Sequence, residues 1–167
     1  MIYQKLKCYF IHIPKTAGTS IKKSLGLKTT GYHKPAIDIK ENFPKYWDNY
    51  FKFSFVRNPW DRVVSIFCYY KFNKNEKNNK NVLKLMENKT FEDYCNALCG
   101  DSPYSWMRET FTHPQLYLQK NWVTINGNSV LDFIGKYETL ENDFTYICKC
   151  LAIEKPKLFH LRKSNNK

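Results

Sequence analysis

A short segment rich in Lys, Thr, Ser and Gly follows the apolar run Cys8–Ile13 and precedes residues that favour a helix. The first backbone N–H groups of a helix lack partners within the helix, and with the helix dipole they attract an anion. Lys15 adds a cation, and Gly18 lets the backbone approach a ligand closely. Three hydroxyl side chains lie in the same segment: Thr16, Thr19 and Ser20. The pattern predicts a phosphate cradle.

The position of the lysine separates this cradle from the common ATP and GTP loop. In Gly-x-x-x-x-Gly-Lys-Ser/Thr the lysine directly follows the second glycine. Here Lys15 comes three residues before Gly18. The spacing therefore argues against the usual nucleoside triphosphate.

A second anion-binding group follows the alternating aromatic and β-branched residues of Phe51–Val56, which predict a strand. The planar fork of Arg57 suits a phosphate, and Ser65 lies two turns into the helix predicted after Pro59. Ligands of open α/β sheets bind at the carboxyl ends of the strands, where both groups would lie. Two separated anion sites suggest a nucleotide with phosphates at both ends of its ribose.

The alternation of strands and helices predicts an α/β fold with three layers, in which helices flank a central parallel sheet. The predicted strands are residues 8–13, 29–33, 51–56 and 130–137. The predicted helices are residues 19–25, 35–42, 59–72, 91–98 and 140–151, the fourth opened by a capping box at Thr90–Asp93. Residues 100–128 carry no readable pattern.

Composition limits the class of protein. A chain of 167 residues fits one domain, here expected over residues 1–167, and its charge of +12 attracts anions. The Lys- and Asn-rich residues 71–81 are interpreted as a solvated loop, or as a segment whose positive charge attracts an acidic substrate.

Six cysteines lack zinc-site spacing, and no metal is expected. Without a leader or a transmembrane run, the expected location is cytoplasmic and reducing.

Two segments resemble the nucleotide-binding motifs of the sulfotransferase family. Ile13–Ser20 is similar to its 5′-phosphosulfate loop, and Phe55–Ser65 is similar to its 3′-phosphate segment. Weaker similarity covers His33–Ala36, His113–Gln115 and Asp132–Leu140, so the resemblance spans most of the chain. The branch that it most resembles contains the glycan O-sulfotransferases, which have a P-loop NTPase-like fold.

The resemblance implies that 3′-phosphoadenosine-5′-phosphosulfate (PAPS) is the donor of a sulfuryl group to an acceptor hydroxyl, expected on a carbohydrate, with no metal. The implied donor contacts are Pro14, Lys15, Thr16, Ala17, Gly18, Thr19, Ser20, Arg57 and Ser65. Lys15 would stabilise the leaving 5′-phosphate oxygen. Family members usually continue into further C-terminal helices, so this part is expected to be short or missing here. The tail residues Arg162, Lys163 and Ser164 are interpreted as lying near the 3′-phosphate or as frayed.

An acceptor alcohol needs a general base, and the resemblance implies His33 for this role. The residues leave three alternatives open: His12, interpreted as lying within a strand, His113, in a loop that could touch the acceptor, and Glu138, interpreted as fixing the last strand to its helix.

Two other functions remain open at this point. A small-molecule P-loop kinase would share the strand, loop and helix, and a non-catalytic basic module would use the charge to bind polyanions. No specific nucleic-acid partner is predicted. The sequence fixes neither the acceptor nor the oligomeric state.

Overall fold

The structure is a computed structural model that describes residues 2–27, 33–72, 84, 86–99 and 117–159. The chain divides into two compact units. The first comprises Met1–Asn58 and Tyr117–Lys163, and the second comprises Pro59–Leu116 and Ser164–Lys167. The single domain expected over residues 1–167 stays a prediction.

The first unit is built on a mostly parallel sheet. In chain order its strands are β1 (Ile2–Tyr3), β2 (Cys8–Ile11), β3 (Phe51–Val56), β4 (Thr124–Ile125), β5 (Asn128–Ser129) and β6 (Phe133–Lys136). The main sheet has the order β1-β2-β3-β6, in which β2, β3 and β6 run parallel and β1 is antiparallel. Strands β4 and β5 form a separate antiparallel pair.

Helices of the first unit cover both faces of this sheet. The helices of the described residues are α1 (Gly18–Ser24), α2 (Ala36–Asn42), α3 (Pro59–Phe72), α4 (Phe91–Cys99), α5 (Gln119–Val123) and α6 (Leu140–Cys150). Successive side chains of a strand point to opposite faces. Phe10 accordingly packs in one core with α1 and α6, whereas Tyr9 packs in another with α2 and α5. The predicted layered α/β architecture is confirmed.

Helix α6 illustrates why the sequence folds as it does. Leu140, Phe144 and Ile147 recur at the helical period and are buried against the sheet. Asp143, in the first turn, accepts hydrogen bonds from the Lys136 backbone N–H and the Thr139 hydroxyl, each at 2.7 Å. This carboxylate therefore fixes β6 to its helix, a role that the sequence reasoning gave to Glu138.

The second unit contains α3 and α4. The predicted capping box is confirmed, because the Asp93 N–H donates to the Thr90 hydroxyl at 3.1 Å and the Thr90 N–H donates to the Asp93 carboxylate at 2.8 Å. The Phe67 ring packs on those of Phe91 and Tyr94, with centroids 5.3 and 5.6 Å away. Burial of Phe67 and Tyr94 holds the unit's own core together, whereas Phe91 stays partly exposed.

The structure also corrects details of the predicted elements. Strand β2 ends at Ile11, so His12 lies in the loop and not within the strand. Most of the strand predicted at 29–33 falls outside the described residues, and His33 itself belongs to no strand. Within the stretch 100–128, the described part contains α5 and the β4–β5 pair.

Candidate functional site

The carboxyl ends of three neighbouring parallel strands lie at one edge of the sheet. Strands β2, β3 and β6 end at Ile11, Val56 and Lys136. The loop that contains Lys15 follows the first, Arg57 follows the second, and Tyr137 follows the third. Adjacent strands lie about 4.8 Å apart, so all three segments begin close together. The structure thus places the two predicted anion-binding groups, Lys15 and Arg57, after adjacent strands at the same edge.

The loop between β2 and α1 has an unusual backbone. Lys15 and Ala17 have φ angles of 68° and 66°, in the left-handed region that non-glycine residues rarely adopt. A left-handed residue next to a right-handed one turns successive N–H groups toward a shared concavity that binds anions, and the two φ angles favour such an arrangement here. The buried Thr16 hydroxyl donates to the Ile13 carbonyl at 2.9 Å. The hydroxyl proton of Thr16 is therefore engaged within the loop and is not available to a ligand.

Gly18 is required by a close contact with His12. A Cβ atom added at Gly18 would lie 1.8 Å from Cδ2 and 1.9 Å from Nε2 of the His12 ring. This ring is buried and stacks on Phe10, with the centroids 5.5 Å apart. The missing side chain of Gly18 therefore makes room for an imidazole. Sequence reasoning had assigned that space to the ligand.

The structure brings together His12 and His33, two of the four residues considered as the base. Their ring centroids lie 4.3 Å apart, and Nδ1 of His33 lies 3.0 Å from the His12 carbonyl oxygen. A carbonyl can only accept, so Nδ1 must carry the proton. In the neutral ring Nε2 is then the basic nitrogen, as a general base requires.

Arg57 is held on its backbone and on its side chain. The Gln119 side-chain amide accepts from the Arg57 N–H at 2.9 Å and donates to the Arg57 carbonyl at 2.7 Å. The guanidinium carbon lies 4.1 Å from the centroid of the Tyr137 ring, a cation–π contact. Nε of Arg57 is buried and has no hydrogen-bond acceptor among the described residues. An anion beside it would supply the missing acceptor.

Glu138 has a structural contact. Its carboxylate accepts a 2.6 Å hydrogen bond from the Asn58 backbone N–H. The contact ties the end of β6 to the chain that leaves β3, beside Arg57. Among the alternatives to His33, Glu138 is therefore engaged as an acceptor, and His113 lies outside the described residues.

Ser65 lies in the second unit. Its side chain is buried on α3, as is Arg62. Burial lowers the pKa of Arg62 to about 10, so its guanidinium stays charged at neutral pH. The contact of Ser65 with a nucleotide stays a prediction.

The remaining predicted donor contacts lie in the loop before α1 and in its first turn. Pro14 and Ser20 are buried, and Lys15, Ala17 and Thr19 are half-buried. The tail residues 162–164 lie outside the described part of the chain. Within the described ranges, no group of three or more His, Cys, Asp or Glu side chains is arranged to hold a metal ion. No helix in those ranges is both long and apolar enough to cross a membrane.

Sequence reasoning missed two residues of this edge. Gln119 lies in the stretch without a readable pattern, and its contact joins residues 62 positions apart, so no local signal marks it. Tyr137 is the last residue of the strand predicted at 130–137, and its place at the ligand-binding edge was the one available signal.

Comparison with known proteins identifies the family of this chain. The pattern that defines the Sulfotransferase family matches residues 1–166. The chain therefore belongs to the sulfotransferase family. It is also 31% identical to an uncharacterized protein of Archaeoglobus fulgidus over 110 residues, which cover 65% of this chain and 73% of that protein. No solved structure matches the chain.

Proposed function

We propose that this protein is a PAPS-dependent sulfotransferase that transfers a sulfuryl group to a hydroxyl of a carbohydrate. The observation that carries the proposal is that the Lys15 loop and Arg57 follow adjacent parallel strands at one edge of the sheet. Membership of the sulfotransferase family supports the reaction class. The strand, anion-binding loop and helix at residues 8–24 support a P-loop-like architecture for the donor site.

The two anion-binding groups have different roles in this proposal. Lys15 and the loop amides bind the 5′-phosphosulfate, and the left-handed residues Lys15 and Ala17 support the required concavity. Arg57 binds the 3′-phosphate, which satisfies its buried Nε. The resemblance alone implies that Ser65 contacts the same phosphate.

In the reaction we propose, the acceptor oxygen attacks the sulfur in line with the bond to the 5′-phosphate oxygen. The new S–O bond forms as the old one breaks, and 3′-phosphoadenosine-5′-phosphate leaves with the bonding electrons. Lys15 stabilises the charge that builds on the leaving oxygen. His33 takes the acceptor proton at Nε2, because Nδ1 is occupied with the His12 carbonyl. Lys15 and the loop amides supply the positive charge, so the proposal requires no metal.

We also propose an acceptor class and a cellular compartment. A carbohydrate is the acceptor class implied by the resemblance to glycan sulfotransferases. A reducing cytoplasm is supported by the cysteines, because none of the six forms a disulfide bond within the part of the chain that the structure describes.

Calorimetric titration with 3′-phosphoadenosine-5′-phosphate, and separately with ATP plus magnesium, tests the donor site. We expect the bisphosphate to bind without a metal, Lys15→Ala to abolish binding and Arg57→Ala to weaken it. Lys149→Ala is the matched control, because it removes one positive charge from the exposed last turn of α6. This helix extends about 16 Å away from the edge where it begins.

Two outcomes would overturn the proposal. Preference for ATP with magnesium would indicate the kinase. Indifference to both nucleotides, with salt-sensitive binding of heparin, would indicate the polyanion-binding module.

A further inference from the structure

Gln119 makes an unusual pair of contacts with the backbone of Arg57. Its Oε1 atom accepts from the Arg57 N–H at 2.9 Å, and its Nε2 atom donates to the Arg57 carbonyl at 2.7 Å. Residues on neighbouring antiparallel strands exchange the same pair of bonds. Since β3 ends at Val56 and pairs in parallel with both of its neighbours, the side chain of Gln119 adds this two-bond restraint one residue beyond the strand.

The hydrogen bonds to the Arg57 backbone also limit the positions that its guanidinium can take. The two hydrogen bonds, one on each side of the Arg57 Cα, fix the direction in which the side chain leaves the backbone. The guanidinium then rests on the Tyr137 ring, with a buried Nε that has no acceptor in the described part of the chain. A fixed cation with an unsatisfied donor is prepared for an anion before the anion arrives.

We infer that Gln119 is a positioning residue for donor binding, which acts through Arg57 on the 3′-phosphate. This inference rests on the proposed function, since it requires a donor that carries that phosphate. Gln119 itself touches only the backbone of Arg57 in this role. Without its amide, Arg57 would have to be ordered when the nucleotide binds, and the affinity would fall.

The experiment is a double-mutant cycle measured by calorimetry with 3′-phosphoadenosine-5′-phosphate. Gln119→Ala is expected to weaken binding about tenfold, the size expected for losing a restraint of one or two hydrogen bonds. In the Arg57→Ala background the same change is expected to have no further effect, because the guanidinium that Gln119 positions is gone. Asn121→Ala is the matched control, since Asn121 is an exposed amide on the same helix.

A second ligand separates positioning from general damage to the fold. Adenosine 5′-phosphosulfate lacks the 3′-phosphate, so Gln119→Ala is expected to leave its affinity unchanged. Gln119→Glu provides an independent variant, because its carboxylate still accepts from the Arg57 N–H but cannot donate to the carbonyl. We expect its affinity for the bisphosphate to fall below that of the wild type, because the carboxylate oxygen is repelled by the Arg57 carbonyl and its charge lies near the phosphate. The urea midpoint of each variant reports whether it is folded.

The outcomes distinguish the inference from the proposed function. If the wild type does not bind the bisphosphate, both are wrong. If the wild type binds and Arg57→Ala weakens binding, but Gln119→Ala and Gln119→Glu bind like the wild type, the inference alone is wrong. Equal losses for both ligands, or losses that add in the double variant, would also overturn it.

Discussion

Nδ1 of His33 lies 3.0 Å from the backbone carbonyl oxygen of His12. His12 follows β2 directly and its ring fills the space above Gly18, so this one residue contacts both the phosphate loop and His33. The hydrogen bond selects the tautomer of His33 with its proton on Nδ1. The basic nitrogen and the loop are therefore positioned by a shared neighbour.

The first prediction concerns His33 as the general base. His33→Ala is expected to lower the rate of sulfuryl transfer about 10²- to 10⁴-fold, the usual contribution of a general base, while the affinity for 3′-phosphoadenosine-5′-phosphate stays the same. Release of the bisphosphate from PAPS, measured with a panel of carbohydrate acceptors, gives the rate.

The control for this prediction is Glu138→Gln. Its side-chain amide oxygen can still accept from the Asn58 N–H, so we expect wild-type turnover. Unchanged turnover in His33→Ala would remove His33 from the mechanism. A loss confined to Glu138→Gln would transfer the role of base to Glu138.

The second prediction concerns the contact between Gly18 and His12. Gly18→Ala is expected to lower the free energy of unfolding by about 1–3 kcal/mol, because the new Cβ overlaps the buried imidazole ring. Urea denaturation measures the change. In the His12→Ala background the same substitution is expected to cost less, since the ring is gone. Additive losses would show that the ring contact does not set the cost.

Local sequence patterns were sufficient to predict the strands and helices whose apolar residues recur at a regular spacing. Phe51–Val56 alternates as a strand does, and the buried residues of α6 recur at the helical period, so both were predicted. Strand β1 has only two residues, and α5 has five, so neither spans enough chain to show a period. Such short elements form because the rest of the sheet and core are there to pack against.

Part of the candidate site could also be predicted from local sequence patterns. Lys15 and Arg57 each follow a recognisable strand, so their shared edge could be predicted from the parallel order. The Gln119 contact could not be predicted, because it depends on how a helix 62 residues away packs. The contact of Gly18 with His12 could not be predicted either, because the sequence does not reveal that the His12 ring occupies the adjacent space.

The third prediction concerns the capping box and its dependence on pH. Hydrogen bonds from the backbone and the hydroxyl of Thr90 lower the pKa of Asp93 below its ordinary value of 3.8. A lowered pKa in the folded state means that this carboxylate stabilises the fold fully above that ordinary value and loses the contribution as the pH falls through the folded value.

Thr90→Ala is therefore expected to cost about 1 kcal/mol of unfolding free energy near neutral pH, as loss of a helix cap usually does, and less below about pH 3.8. Urea denaturation of both proteins across this range measures the difference. Thr90→Ser keeps the hydroxyl and should follow the wild type. A difference that is independent of pH would exclude the Asp93 contribution.

The fourth prediction concerns the aromatic ring beneath Arg57. Tyr137→Leu is expected to weaken the binding of 3′-phosphoadenosine-5′-phosphate several-fold, because the guanidinium loses a ring face 4.1 Å away and a contact of about 0.5–2 kcal/mol. Tyr137→Phe retains that face and should bind like the wild type. Calorimetry with each variant measures the affinities, and adenosine 5′-phosphosulfate, which lacks the 3′-phosphate, should bind both equally. If Tyr137→Phe lost as much affinity as Tyr137→Leu, the hydroxyl and not the ring face would be the group that matters.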